Sequence, residues 1–90
     1  AFEGVYVGDL LSRAMSRVQA DNLWITIMNN VNVVAVASLT EAAAVILAEN
    51  VSLTQEVYEA ANAKGIAIYS AKESVYELCT IISRCAAGNE

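Results

Sequence analysis

Leu23-Trp24-Ile25-Thr26-Ile27-Met28-Asn29-Asn30-Val31-Asn32-Val33-Val34-Ala35-Val36-Ala37-Ser38 is the stretch on which the fold turns. Its first six residues are aromatic, β-branched or otherwise apolar and stop at polar neighbours, which is the pattern of a strand. Local propensity alone makes Val33–Ser38 a second strand, paired with the first through a tight Asn-rich turn. Ser38 and Glu41 would then form a capping box for a helix through Thr40–Asn50. The rhythm of the whole chain points the other way. Short apolar runs at Val5–Val7, Leu23–Met28, Ala43–Leu47 and Ile66–Tyr69 recur about every twenty residues, the alternation that builds βαβ units. Helix-like stretches follow each run, at Asp9–Val18, Asn32–Leu39, Leu53–Lys64 and Lys72–Cys85. A helix from Asn32 and a strand at Ala43–Leu47 are therefore expected. The fold class this gives is α/β, three-layer, with a mostly parallel sheet of about four strands and helices packed on it.

The rest of the chain fits that frame. Gly8 lets the backbone turn out of the first strand, and Asp9 is placed to cap the helix that follows. Leu10, Leu11, Ala14, Met15 and Val18 mark one face of that helix. Ser52 with Gln55, and Ser70 with Glu73, have capping-box spacing. Leu53, Val57, Ala60 and Ala61 are expected on a buried side, and Gly65 closes their helix in the left-handed conformation. Val75, Leu78, Cys79 and Ile82 form an apolar stripe on the last helix, with Ala86–Glu90 expected to fray. No Pro, charge run or low-complexity linker divides the 90 residues, so a single domain is expected. The chain begins with Ala rather than Met, which suggests processing or excision from a longer chain.

Composition narrows the function. The chain is 57% apolar and 17% charged, where soluble domains average about 45–50% and about 25%. A domain this small cannot hide so much apolar surface alone, so a homo-oligomer is expected, most simply a two-fold dimer. Ten acidic against five basic residues give a net charge of −5, and Arg13, Arg17, Lys64, Lys72 and Arg84 are scattered. That balance repels a phosphate backbone, so nucleic acid is not an expected partner. Every apolar run is interrupted well short of the roughly 20 residues that cross a bilayer, and no secretory signal is visible, so no membrane partner is expected. Cys79 and Cys85 lie six positions apart on one helix and point to different faces, so they are expected as buried, reduced thiols in the cytoplasm.

Chemistry is scarce. The chain has no His, which removes the commonest general base and the commonest metal ligand. Gly8-Asp9 belongs to neither a phosphate loop nor a dinucleotide fingerprint. No enzyme, cofactor or metal site is expected. In a parallel α/β sheet a ligand would sit at the carboxyl ends of the strands. There the sequence offers Asp9, Asn29, Asn30, Asn32, Glu49, Asn50, Ser70 and Lys72 as candidate ligand-binding residues, suited to an anionic metabolite or a nucleotide beside helix N-termini. Each also has a structural explanation. Asp9, Asn32, Ser52 and Ser70 are adequate N-caps, the asparagines suit a turn, Glu49 and Asn50 close the third strand, and Lys72 suits a solvated surface.

Tyr6-Val7-Gly8-Asp9-Leu10-Leu11-Ser12, Trp24-Ile25-Thr26-Ile27 and Asn32-Val33-Val34-Ala35-Val36-Ala37-Ser38, continuing through Gly65-Ile66-Ala67-Ile68, resemble the DRTGG domain family. The likeness is greatest to its short stand-alone members of the HPr-serine-kinase-like regulator type. It implies a small three-layer α/β fold related to the N-terminal domain of HPr kinase, with a helix after the Trp-Ile-Thr-Ile strand. It also implies a further helix and strand upstream of residue 1, and a regulatory, dimerising role without catalysis. The family's Gly-Asp-Arg corresponds here to the Asn29–Val31 region and its Thr-Gly-Gly to the Ala48–Asn50 region, and both motifs are replaced. The overall expectation is a non-catalytic regulatory or interaction domain that dimerises and has a possible protein partner. The alternative is a small-molecule sensor using the strand-end loops.

Overall fold

In the structure, a computed structural model that describes residues 2–88, each strand is followed by a helix. The order is β1 (Val5–Val7), α1 (Leu11–Arg17), β2 (Leu23–Thr26), α2 (Val31–Thr40), β3 (Ala44–Leu47), α3 (Gln55–Lys64), β4 (Ile68–Ser70) and α4 (Val75–Gly88). All strands run parallel in one sheet of order β1-β2-β3-β4. Residues 23–47 form strand, helix and strand, and the hairpin suggested by local propensity does not arise. The valines of α2 cost only tenths of a kcal/mol each in helix propensity. Burying one returns about 1.5–3 kcal/mol, and Val33, Val34, Val36 and Ala37 are all buried. Asn30 starts this helix by accepting from the Asn32 backbone N–H, so the expected cap at Asn32 lies two residues earlier. Glu41 ends it at φ 60°.

Strand order dictates the layers. Every βαβ crossover is expected to be right-handed, so three successive crossovers to the next strand put three helices on one face. Ala14 and Val18 at α1, the α2 residues above, and Val57 and Ala61 of α3 pack with Trp24, Val45, Leu47 and Ile68 on that face. The register sets Trp24, Val45 and Ile68 side by side, and the neighbouring row Val7, Ile25, Ile46 and Tyr69 on the opposite face. There α4 packs alone, through Val75, Leu78, Cys79 and Ile82, against Ile25, Ile46 and Ala48. The stripe expected on the last helix is the one that docks. Trp24, fully buried, donates its indole N–H to the Gly8 carbonyl at 3.0 Å. At the other end of the strands, Asn22 is buried and joins Gln19, Glu3 and, through its carbonyl, Ala43. Gly4, at φ 88°, passes so near that an added Cβ would meet the Asn22 amide at 2.8 Å.

Several local expectations shift. Strand β2 ends at Thr26 rather than Met28, because Ile27 N–H donates to Asp9 and Met28 N–H to the Thr26 hydroxyl. Strand β4 starts at Ile68 rather than Ile66, whose N–H instead closes α3 on the Ala61 carbonyl beyond Gly65 at φ 67°. Thr54, not Ser52, caps α3 by accepting from Val57 N–H. Ser74 and Glu77, not Ser70 and Glu73, form the capping box of α4. Leu10 and Met15 are 64% and 45% exposed, while Leu11, Ala14 and Val18 carry the contact of α1 with the core. The thiols are not buried as expected. Cys79 is half-buried and Cys85 exposed, Cys79 packing in the cluster between α4 and the sheet that Cys85 does not join. Ala86–Gly88 is helical rather than frayed, and the same expectation for Asn89 and Glu90 lies outside the described residues.

Two leucines test the assignment of residues 31–47. Leu47 is fully buried and Leu39 is 70% exposed. Leu47→Ala should cost about 3 kcal/mol and lower Tm by about 15 °C. Leu39→Ala should cost about 0.5 kcal/mol or less. Comparable losses at the two positions in thermal unfolding would contradict this placement.

Candidate functional site

The parallel sheet gathers the candidate residues at the carboxyl ends of its strands, as the sequence implied. Most of them are engaged there in tying one loop to the next. Asp9 does not cap α1, whose N-terminal flank is Leu10 with no side-chain cap. Its carboxylate Oδ1 instead accepts from the buried Thr26 hydroxyl at 2.7 Å and from Ile27 N–H at 3.0 Å, joining the β1 loop to the end of β2. Asn29 donates its side-chain amide to the Ser52 carbonyl at 2.8 Å, joining the β2 and β3 loops. The Ser70 hydroxyl donates to the Val51 carbonyl at 2.7 Å, joining β4 to the β3 loop. Asn30 is spent on the α2 cap. Asn32 and Lys72 stand exposed at the rim.

Between β3 and β4 the following helices diverge, α3 to one face of the sheet and α4 to the other. Such a divergence is where a ligand crevice opens in α/β sheets. Here main-chain bonds close it. Glu49 N–H donates to the Glu73 carbonyl at 2.7 Å, and Asn50 N–H to the Ala71 carbonyl at 2.9 Å. Glu49 and Asn50 reach these partners with consecutive left-handed backbones, both at φ 59°. A left-handed residue other than glycine costs about 1–2 kcal/mol, less for Asn, so the pairing holds the chain in a conformation it would not adopt alone. Consecutive amides of this kind attract anions when they are free; these two are committed to carbonyls.

Charge at this edge is acidic. Asp9, Glu49, Glu73 and Glu77 lie near the strand ends with Lys72 the nearby cation. Among the described residues no group of three His, Cys, Asp or Glu is placed to hold a metal ion, and every buried side-chain nitrogen or oxygen has a hydrogen-bond partner. The Glu77 carboxyl is held below its ordinary value of 4.5, first by the Ser74 backbone N–H, then by the Ser74 hydroxyl, with Lys72 adding a smaller attraction.

Three residues at this edge had no assigned role in the sequence. In the sequence Thr26 carries only a strand signal, and its acceptor lies 17 positions away. Ser74 and Glu77 carry a visible capping-box spacing that competes with Ser70 and Glu73 four residues earlier. A concavity lies away from the strand ends. Phe2, Gly4 and Val5 face Cys79, Ile82 and Ala86 of α4 across an apolar groove of about 320 Å³.

Two measurements separate bracing from binding. Asp9→Ala leaves the buried Thr26 hydroxyl without its acceptor and should cost about 1–3 kcal/mol in denaturant unfolding, while Asp9→Asn, which keeps an acceptor oxygen, should cost less. An Asp9→Ala variant as stable as the wild type would remove the bracing role. Because the Glu77 carboxyl is lowered in the folded state, its contribution is complete above the ordinary carboxylate value and is lost as pH falls through the lowered one. The wild type should therefore lose more stability than Glu77→Gln on acidification from about pH 6 to about pH 3, measured by the helical signal on unfolding.

No helix among the described residues is long and apolar enough to cross a membrane. Neither curated proteins nor solved structures include a significant match to the chain. The family model described as the DRTGG domain matches residues 3–85, nearly the whole chain. This is a regulatory type of domain, generally non-catalytic. With a parallel four-stranded α/β sheet and a family match spanning its strands and most of its last helix, the chain belongs to the DRTGG domain family.

Proposed function

We propose that this domain is a non-catalytic regulatory module that works by pairing with a second copy of itself through the sheet face carrying α4. One observation carries the reading. Three helices cover one face of the sheet and a single helix covers the other. On that thinly covered side Val5, Val7 and Tyr69 of the edge strands are 40%, 43% and 60% exposed, and Ile81 of α4 is 46% exposed. The strand residues flank α4 on both edges of the sheet, and exposed apolar surface of this kind is characteristic of an interface. A standard interface takes about 800 Å² from each partner, a modest share of the 5404 Å² this domain exposes.

The alternative, a small-molecule sensor at the strand-end loops, has less support. The crevice between β3 and β4 is closed by main-chain bonds, and the acidic edge disfavours an anionic ligand. The free thiols Cys79 and Cys85 suit a reducing compartment such as the cytoplasm.

Sedimentation equilibrium or light scattering across a concentration series tests the pairing. The expected mass is that of two 9.6-kDa chains, giving way to one on dilution. A mass that stays that of one chain up to tens of micromolar would overturn the reading.

A further inference from the structure

One exposed flank of α4 combines charge and apolar surface in a pattern the fold itself does not use. At about 100° per residue, Leu78 points at the sheet, while Glu77, Ile81 and Arg84 fall together on one side of the helix axis. Leu78 is the buried residue of this helix, and Glu77, Ile81 and Arg84 are exposed. Cys79 and Ala86 fall on the other side, toward Phe2 and Val5 across the groove. The first flank is therefore an apolar residue between two opposite charges, with the carboxylate and the guanidinium seven residues apart, about 10.5 Å along the axis.

Such a stripe is complementary to itself in one orientation. In a parallel pair Glu77 would face Glu77 and Arg84 would face Arg84. In an antiparallel pair, a two-fold axis passing between Thr80 and Ile81 sets each Glu77 opposite Arg84 of the second copy. It also brings the two Ile81 side chains together at the axis. The capping box occupies Oε1 of Glu77 with the Ser74 N–H, and a carboxylate has a second oxygen for a guanidinium.

We infer that two copies of this domain pair through antiparallel α4 helices, with the two Ile81 side chains beside the two-fold axis and reciprocal Glu77–Arg84 ion pairs flanking them. This rests on the pairing proposed above and specifies its surface. The apolar contact excludes water at the centre, and the charges select the antiparallel orientation over the parallel one.

The test follows the mass of the wild type and three variants by analytical ultracentrifugation, with thermal unfolding confirming that each is folded. Ile81→Glu sets two like charges against each other at the axis and should weaken dimerisation by at least about tenfold. Arg84→Glu, at an exposed position, makes both ion pairs repulsive and should weaken it by a smaller factor. Ile81→Cys combined with Cys79→Ala and Cys85→Ser should give a covalent dimer on mild oxidation, because facing helices about 8–10 Å apart bring side chains near the axis within disulfide reach. A monomeric wild type would overturn the pairing itself. A dimeric wild type whose affinity is unchanged by Ile81→Glu and Arg84→Glu, with the Ile81→Cys variant uncrosslinked, would leave pairing intact and overturn its assignment to α4.

Discussion

Handedness governs this molecule. Each of its three crossovers carries the chain to the next strand in the same direction, so right-handed connections send α1, α2 and α3 to the same face. A doubly wound sheet reverses direction partway and shares its helices between the faces. The order β1-β2-β3-β4 never reverses, and the second face of the sheet is covered by α4. The burial of α2 on several sides, the exposure of Val5 and Val7, and the exposed flank of α4 all follow from that one order.

The strand ends show what a small domain does with polar residues that might otherwise serve a ligand. Asp9, Asn29, Ser70 and the amides of Glu49 and Asn50 each join neighbouring loops, and together they lace the edge from β1 to β4. After β3 the backbone turns left-handed at two successive residues, Glu49 and Asn50. Glycine adopts that conformation without steric cost. Glu49 and Asn50, which are not glycines, hold it with help from the facing carbonyls.

Much of the fold was legible in the sequence because it depends on period and spacing. The strand–helix–strand reading of residues 23–47 came from the chain-wide rhythm, which outweighed a Val-rich segment whose own propensity favoured a strand. The docking stripe of α4 and the turn at Gly65 were equally plain. Contacts between distant residues were less so. Asp9 looked like a cap because nothing local reveals that Thr26 would fold beneath it. Ser70 and Ser74 both precede a glutamate by three, and only the extent of β4 decides between them. Parallel topology places the candidate residues at one edge of the sheet. Their engagement with one another depends on loop geometry, which periodicity does not encode.

Trp24, the chain's single tryptophan, gives the two faces different optical characters. It is sealed under the three-helix layer with its indole N–H bound to Gly8, while Tyr69 and Tyr76 stand exposed by the other face and on α4. Indole emission therefore reports on the integrity of the interior, whereas Tyr69 and Tyr76 report on the surface beside α4. The interior and the exposed α4 side thus carry separate intrinsic chromophores, so loss of folding and a change at that surface have distinct optical signatures.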